Sequence, residues 1–183
     1  CALPIWAPDS KHIYYTDRKN RFVEVTPESG ARKTVMECPE QEFRGVAISP
    51  DSKWIAYTRP APNEMQVVYL RSLESGQEHP VTDRWYNSGS PTFSTDGKYL
   101  IFTSDRDLSP QYSRIEWNYS YQDMSGTYLA LLSAGTPSPL MAKDPEVKAD
   151  VPKADKGPGK GAEKDPEKAP EKKEVKVQVD PDG

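Results

Sequence analysis

Compact apolar runs, each entered through a polar turn, recur along the first part of the chain. Ile55, Ala56 and Tyr57 stand together behind Pro-Asp-Ser-Lys, and Leu100, Ile101 and Phe102 stand together behind Thr-Asp-Gly-Lys. A strand with one wet face alternates apolar and polar residues, so an unbroken run predicts a strand covered on both faces. A buried helical segment would look the same. The short length, the flanking turns and the β-favouring residues argue for strand. Aligned, the runs form a repeat: "APDSKHIYYTD" at 7–17, "SPDSKWIAYTR" at 49–59 and "STDGKYLIFTS" at 94–104, with Asp9, Asp51 and Asp96 spaced by 42 and 45 residues. The columns agree through Ile13, Ile55 and Leu100 to Thr16, Thr58 and Thr103. Self-similarity at about 40–50 residues is the mark of β-propeller blades, each sandwiched between its neighbours.

The elements follow from this repeat. Blade one predicts strands over 12–16, 22–25 and 33–36, lacks a leading strand, and turns at Glu28-Ser29-Gly30. Blade two predicts strands over 45–49, 54–59, 66–73 and 79–82, and its Glu74-Ser75-Gly76 turn repeats the first one 46 residues on. Glycine supplies the positive φ that such turns need. Blade three predicts strands over 90–94, 99–104 and 127–132, interrupted by "DRDLSPQYSRIEWNYSYQDMSG" at 105–126. Long insertions in compact folds are functional or disordered. This one holds Tyr112, Trp117, Tyr119 and Tyr121, too aromatic for disorder, and reads as an ordered loop at a propeller rim or channel mouth. The fold class is therefore all-β, a partial β-propeller of about three four-stranded blades (6–43, 44–88, 89–140) followed by a disordered linker.

Composition sharpens the boundary. All 18 aromatic residues precede Met141, and from there the chain carries six prolines, ten lysines and eleven acids. Such a stretch buries too little surface to offset its ordering entropy, so 141–173 is expected to be disordered. Over 174–183 Val175, Val177 and Val179 alternate again, as at the start of a further strand. Residues 1–5 read as a frayed or non-native start; Cys1 as a lipid-bearing residue is the rival reading, though Trp6 already lies in the repeat. The chain does not open on Met and reads as an internal piece of a longer protein. A net charge of −4 lacks the basic excess that a phosphate backbone demands, so nucleic acid is not an expected partner. No apolar run reaches the roughly 18–20 residues of a membrane span. The two cysteines leave the redox compartment open; a cytoplasmic setting is expected, with a periplasmic or exported one as the alternative.

Candidate chemistry is sparse. His12 occupies the column of Trp54 and Tyr99, a structural place, and His79 precedes Pro80 on an outer strand. No G-x-S-x-G elbow, cysteine–histidine motif or zinc spacing is present, so no catalytic residue, metal ligand or cofactor is expected. "GPGKG" lacks the spacing of a phosphate-binding loop, and "DPDG" reads as a turn. Asp105-Arg106-Asp107 is either a charged-group site or a surface cluster. The expected ligand or channel contacts are Arg106, Tyr112, Arg114, Glu116, Trp117, Tyr119 and Tyr121; in the alternative, the aromatics cap the end of a blade.

"SPDSKWIAYTRPAPN", "VYLRSLESGQEHPVTDRWYNSGSPTFSTDGKYLIFTSDRD" and "EWNYSYQDMSGTYLALL", followed by "TPSP", resemble the propeller region of tricorn-type proteases. The Lys/Glu/Pro stretch and "VKVQVDPDG" follow in the family's order, although the family has a more apolar "DLDG"-like close. The resemblance implies large, oligomeric serine peptidases with two propellers, a PDZ-like domain and a downstream catalytic core. It implies that the propellers form channels for peptides, and that this stretch belongs to the second of them. None of the family's catalytic residues falls on these positions. On that basis the expected partners are a peptide substrate, the remaining blades and catalytic domains of the parent chain, and further copies of it. A TolB-like propeller that binds a protein partner, without enzymatic activity, is the alternative from another class; a prolyl-peptidase-like enzyme is a third.

Overall fold

The computed structural model describes residues 4–38, 44–107, 110–112, 119–121, 123–141 and 175–180. Every regular element among them is a β-strand. Blade one is a four-stranded antiparallel sheet of β1 (Ile5–Trp6), β2 (Ile13–Thr16), β3 (Arg21–Thr26) and β4 (Ala31–Glu37), in that order. Blade two repeats it with β5 (Arg44–Ile48), β6 (Trp54–Pro60), β7 (Gln66–Ser72) and β8 (Glu78–Pro80). Blade three holds β9 (Ser88–Phe93), β10 (Tyr99–Ser104) and, after a separate hairpin of β11 (Pro110–Tyr112) and β12 (Tyr119–Tyr121), β13 (Gly126–Leu131). The all-β blade architecture is thus that of the repeat. Blade one is fuller than its sequence indicates. Ile5 pairs with Tyr14 and Trp6 with Ile13, so a two-residue leading strand is present.

The turn that opens each copy explains the recurring aspartate. Ser10, Ser52 and Gly97 stand at the same place with φ of 60°, 59° and 68°. Their amides donate to the carbonyls of Ala7, Ser49 and Ser94 at 3.0, 2.9 and 3.0 Å. The aspartate before each one accepts from the lysine amide after it: Lys11 N to Asp9 Oδ1 at 2.7 Å, Lys53 N to Asp51 Oδ1 at 3.1 Å and Lys98 N to Asp96 Oδ1 at 3.2 Å. This is the side-chain turn mimic that aspartate favours. In blades two and three the serine at the turn's start adds a bond, Ser49 Oγ to Asp51 Oδ1 and Ser94 Oγ to Asp96 Oδ1, both at 2.6 Å. Blade one has Ala7 there and lacks it. Burial works against the charge of Asp9, but bonds from Lys11 and His12 outweigh it and hold the carboxyl below its ordinary value. The Ser94 hydroxyl does the same for Asp96.

Two apolar layers join the blades. Tyr14, Phe22 and Met36 of blade one meet Ile55, Tyr57, Val67 and Tyr69 of blade two. On the opposite face of the same strands, Ala56, Val68 and Leu70 meet Phe93, Leu100 and Phe102 of blade three. Both faces of blade two are therefore sealed, as its unbroken apolar run requires. In blade three only the Leu100 and Phe102 face is sealed, and Ile101 is exposed.

The first strands of blades two and three carry matching bulges. In β5 the register shifts between Arg44↔Thr58 and Ala47↔Ala56; in β9 it shifts between Thr103↔Gly89 and Ile101↔Thr92. Gly45 and Ser90 occupy the same place in the two copies, with φ of 54° and 51°. They also touch. A Cβ on Gly45 would lie 3.1 Å from Ser90 N, Ser90 Cα and Pro91 Cδ. The glycine is there because the neighbouring backbone leaves no room for a side chain.

The chain forms two compact units, one of Cys1–Thr136 with Val175–Gly183 and one of Pro137–Glu174. In the second, Met141 N donates to Ser138 O at 3.2 Å, and the rest of the stretch expected to be disordered lies outside the described residues. In the first, residues 175–180 alternate in burial but join no sheet. The alternation predicts a strand; the backbone runs instead along the turns of blades two and three. Val177 N donates to Asp51 Oδ2 at 2.9 Å, and Val175 and Val177 cover Gly97. Asp180 N then reaches Leu132 O at 2.9 Å, and Asp180 Oδ2 accepts from Ser133 Oγ at 2.7 Å and Ala134 N at 3.1 Å.

Candidate functional site

The blade-three insertion leaves the sheet through a closed neck. Asp105 N donates to Asn87 O at 2.9 Å, and Asp107 N donates to Met124 O at 3.0 Å. Past the neck, β11 and β12 pair with Pro110 opposite Tyr121 and Tyr112 opposite Tyr119. The backbone thus brings three of the expected contact residues, Tyr112, Tyr119 and Tyr121, onto one hairpin. Arg114, Glu116 and Trp117 lie outside the described residues.

Arg106 is in place but already engaged. Its Nε donates to Ser104 Oγ at 3.0 Å, and its guanidinium carbon lies 5.1 Å from the Tyr128 ring centroid and 5.7 Å from that of Tyr86. A terminal nitrogen stands 3.7 Å from Asp83 Oδ2. Ser104 is buried and accepts in turn from Ser88 Oγ at 2.9 Å. The guanidinium ties the 83–86 turn to blade three. That is a cation held by ring faces and a carboxylate, with a structural task.

A second polar cluster links blades one and two. Glu78 on β8 accepts from the Tyr57 hydroxyl and from Arg59, with Arg71 Nη1 3.8 Å away. Arg71 also donates to Val35 O of β4 at 3.2 Å, and Arg59 stacks over Tyr69 at 4.4 Å. Burial, and then the bond to Glu78, pushes the Tyr57 hydroxyl far above its ordinary pKa. These groups pair with one another and serve packing. His12 is likewise absorbed, its Nδ1 2.7 Å from Asp9 Oδ2 and its Nε2 4.0 Å from Glu24 Oε1.

Two clefts lie at the end of the strands away from the aspartate turns. The smaller, about 240 Å³, opens where β5 meets β9 and is lined by Arg44, Thr58, Gln66, Gly89 and Thr103 among others. Thr58 Oγ1 is buried there without a hydrogen-bond partner among the described residues. The larger, about 620 Å³, lies at the insertion neck and is lined by Met65, Trp85, Tyr86, Asp105, Asp123 and Met124 together with Asn87 and Ser125. Sequence reasoning passed over Trp85, Met65 and Asp123. The adjacent aromatics Trp85-Tyr86 in a polar turn were the available signal. Among the described residues no group of three or more His, Cys, Asp or Glu could hold a metal, and no helix is long and apolar enough to cross a membrane.

Antiparallel sheets stacked face to face, opened by the same turn and in contact through their first strands, define a segment of a β-propeller. Residues 2–183 match the model of the tricorn protease second β-propeller domain, and the chain belongs to that family. It is 30% identical over 134 residues to tricorn protease homolog 1 of Streptomyces coelicolor, covering 73% of this chain and 13% of that protein. With the tricorn protease of Thermoplasma acidophilum it shares 26% identity over 137 residues, 72% of this chain and 13% of that protein. A crystal structure of the tricorn protease superposes with a TM-score of 0.66 at 23% identity, over 75% of this chain and 14% of that one. The chain thus spans about an eighth of the length of these relatives.

Proposed function

We propose that this chain is the channel-forming propeller segment of a tricorn-like serine peptidase that degrades oligopeptides. On this reading its blades guide the peptide, and catalysis belongs to other domains of the parent protein. Membership of the second-propeller family is the observation that carries the reading. The geometry supports it: the bulged first strands of blades two and three stand side by side, where a propeller places its central channel. Exposed Arg44 on β5 is positioned on that side. The partners that follow are the peptide, the remaining blades and catalytic domains, and further copies of the parent, acting in the cytoplasm.

The test blocks the channel wall. Arg44→Cys in the full-length protein is labelled with a bulky maleimide polymer, and hydrolysis of a long and a short peptide is compared with that of an identically treated wild type. Selective loss of long-peptide hydrolysis is expected. Unchanged hydrolysis of both peptides overturns the channel role. A full-length protein that hydrolyses neither peptide, yet captures a protein partner, would instead be a binding module of the TolB-like kind.

A further inference from the structure

The larger cleft has a chemistry that the channel reading does not itself supply. Its wall combines an indole, two thioethers and two carboxylates. Trp85 is 81% exposed, yet its turn is pinned: Trp85 N donates to Asp83 Oδ1 at 3.1 Å, Asn63 Nδ2 to Arg84 O at 2.9 Å and Gln66 N to Asn87 Oδ1 at 3.0 Å. A large ring held out in water on a fixed turn is poised to be covered, because aromatic rings carry the most buried area per side chain. Thioethers adapt to whatever shape lies against them.

The charge in the cleft points one way. Neither the Asp105 nor the Asp123 carboxylate has an ion-pair or hydrogen-bond partner among the described residues. The nearest cation in sequence, Arg106, is committed to Tyr86, Tyr128, Ser104 and Asp83. An acidic group entering here would meet two like charges. A cation would meet two carboxylates and the face of the indole, the best aromatic partner for a positive charge.

We propose that this cleft receives the side chain of a lysine or arginine in a peptide at the propeller. The aliphatic stem lies against Met65, Met124 and the Trp85 ring, and the charged head is held by Asp105 and Asp123. The assignment rests on the reading that peptides reach this propeller. It adds a selectivity that would favour cationic peptides over acidic ones before any bond is cut.

Calorimetric titration of the full-length protein with three blocked pentapeptides tests it: alanines throughout, or with a central lysine or glutamate. The lysine peptide is expected to bind about tenfold more tightly than the glutamate peptide, the scale of one cation–aromatic contact with a charge pair. That preference should shrink in high salt. D105N/D123N should abolish it. Trp85→Phe, which keeps a ring of weaker quadrupole, should reduce the preference without removing it. Equal binding of the charged peptides, or a preference that survives D105N/D123N, overturns the assignment. If the alanine peptide binds and is hydrolysed but no charge preference is seen, the cleft assignment alone falls. If no peptide is bound or hydrolysed, the channel reading falls with it.

Discussion

Strands β6 and β10 descend from the same repeat and live in different surroundings. Along β6 the side chains at 55–58 are all buried, whereas along β10 buried and exposed residues alternate. Ile55 is 0% exposed and Ile101 36%. The sequences do not explain this difference, since both runs are apolar on both faces. The neighbours do: blade two is covered by blades one and three, and blade three by blade two alone. Apolarity along a propeller strand therefore records the faces a complete ring would cover.

Truncation at the two isoleucines gives the largest contrast. Ile55→Ala should cost about 3 kcal/mol in urea unfolding, through lost transfer energy and a cavity between blades one and two. Ile101→Ala should cost under about 1 kcal/mol in this chain, as at other partly exposed positions. In a full-length protein with a further blade stacked on that face, the Ile101→Ala cost should rise toward that of Ile55→Ala. Equal costs in the isolated chain would break the comparison.

The polar seam comes next. Within blade two Glu78 gathers Tyr57, Arg59 and Arg71, and Arg71 reaches across to Val35 O of blade one. Glu78→Gln should destabilise by about 2 kcal/mol, discounted for the partial exposure of the pair, because Arg59 is left without its counter-charge. Unfolding monitored by denaturant would read it. The paired bulges follow: Gly45→Ala forces a Cβ against Ser90 and Pro91 at positive φ and should cost about 1–2 kcal/mol. Ser90→Gly, at the same place in blade three, should be nearly neutral.

The smallest effect is on pH. Asp9 and Asp96 have carboxyls held below their ordinary value of 3.8. Their bonds to the turns therefore contribute in full above about pH 4 and fade as pH falls through the depressed folded values. The melting temperature should drop modestly from pH 5 to pH 3. Asp96→Asn should flatten part of that slope, and a slope of the opposite sign would contradict the turn assignment.

These contrasts also mark what a single sequence conveys. The blades were legible because the aspartate turn and the Glu-Ser-Gly turn are local codes, each written in a few adjacent residues. The engagement of Arg106 was not legible, since Tyr86 and Tyr128 lie 20 and 22 residues away in opposite directions along the chain. The hairpin of β11 and β12 was missed because each strand is only three residues long, too short for the aromatic–polar alternation at Tyr119-Ser120-Tyr121 to stand out inside a long insertion. The alternation of Val175, Val177 and Val179 predicted a strand, and these residues instead dock against turns without joining a sheet. Asp51, which receives Val177 N, is 126 residues distant, and no local pattern names so remote a partner.

The meeting of Asp180 with Leu132 and Ser133 bears on how this blade tolerates change. Ser133 and Asp180 stand 47 positions apart in the chain and are joined by a 2.7 Å bond. Asp180 sutures the far end of that interval to Leu132, Ser133 and Ala134, beside the bond from Val177 to Asp51 of blade two. Closure entropy grows only with the logarithm of length, so doubling the stretch would add about 0.6 kcal/mol. The spacing between Ala134 and Val175 is therefore nearly free to drift over evolutionary time, while the suture itself is not.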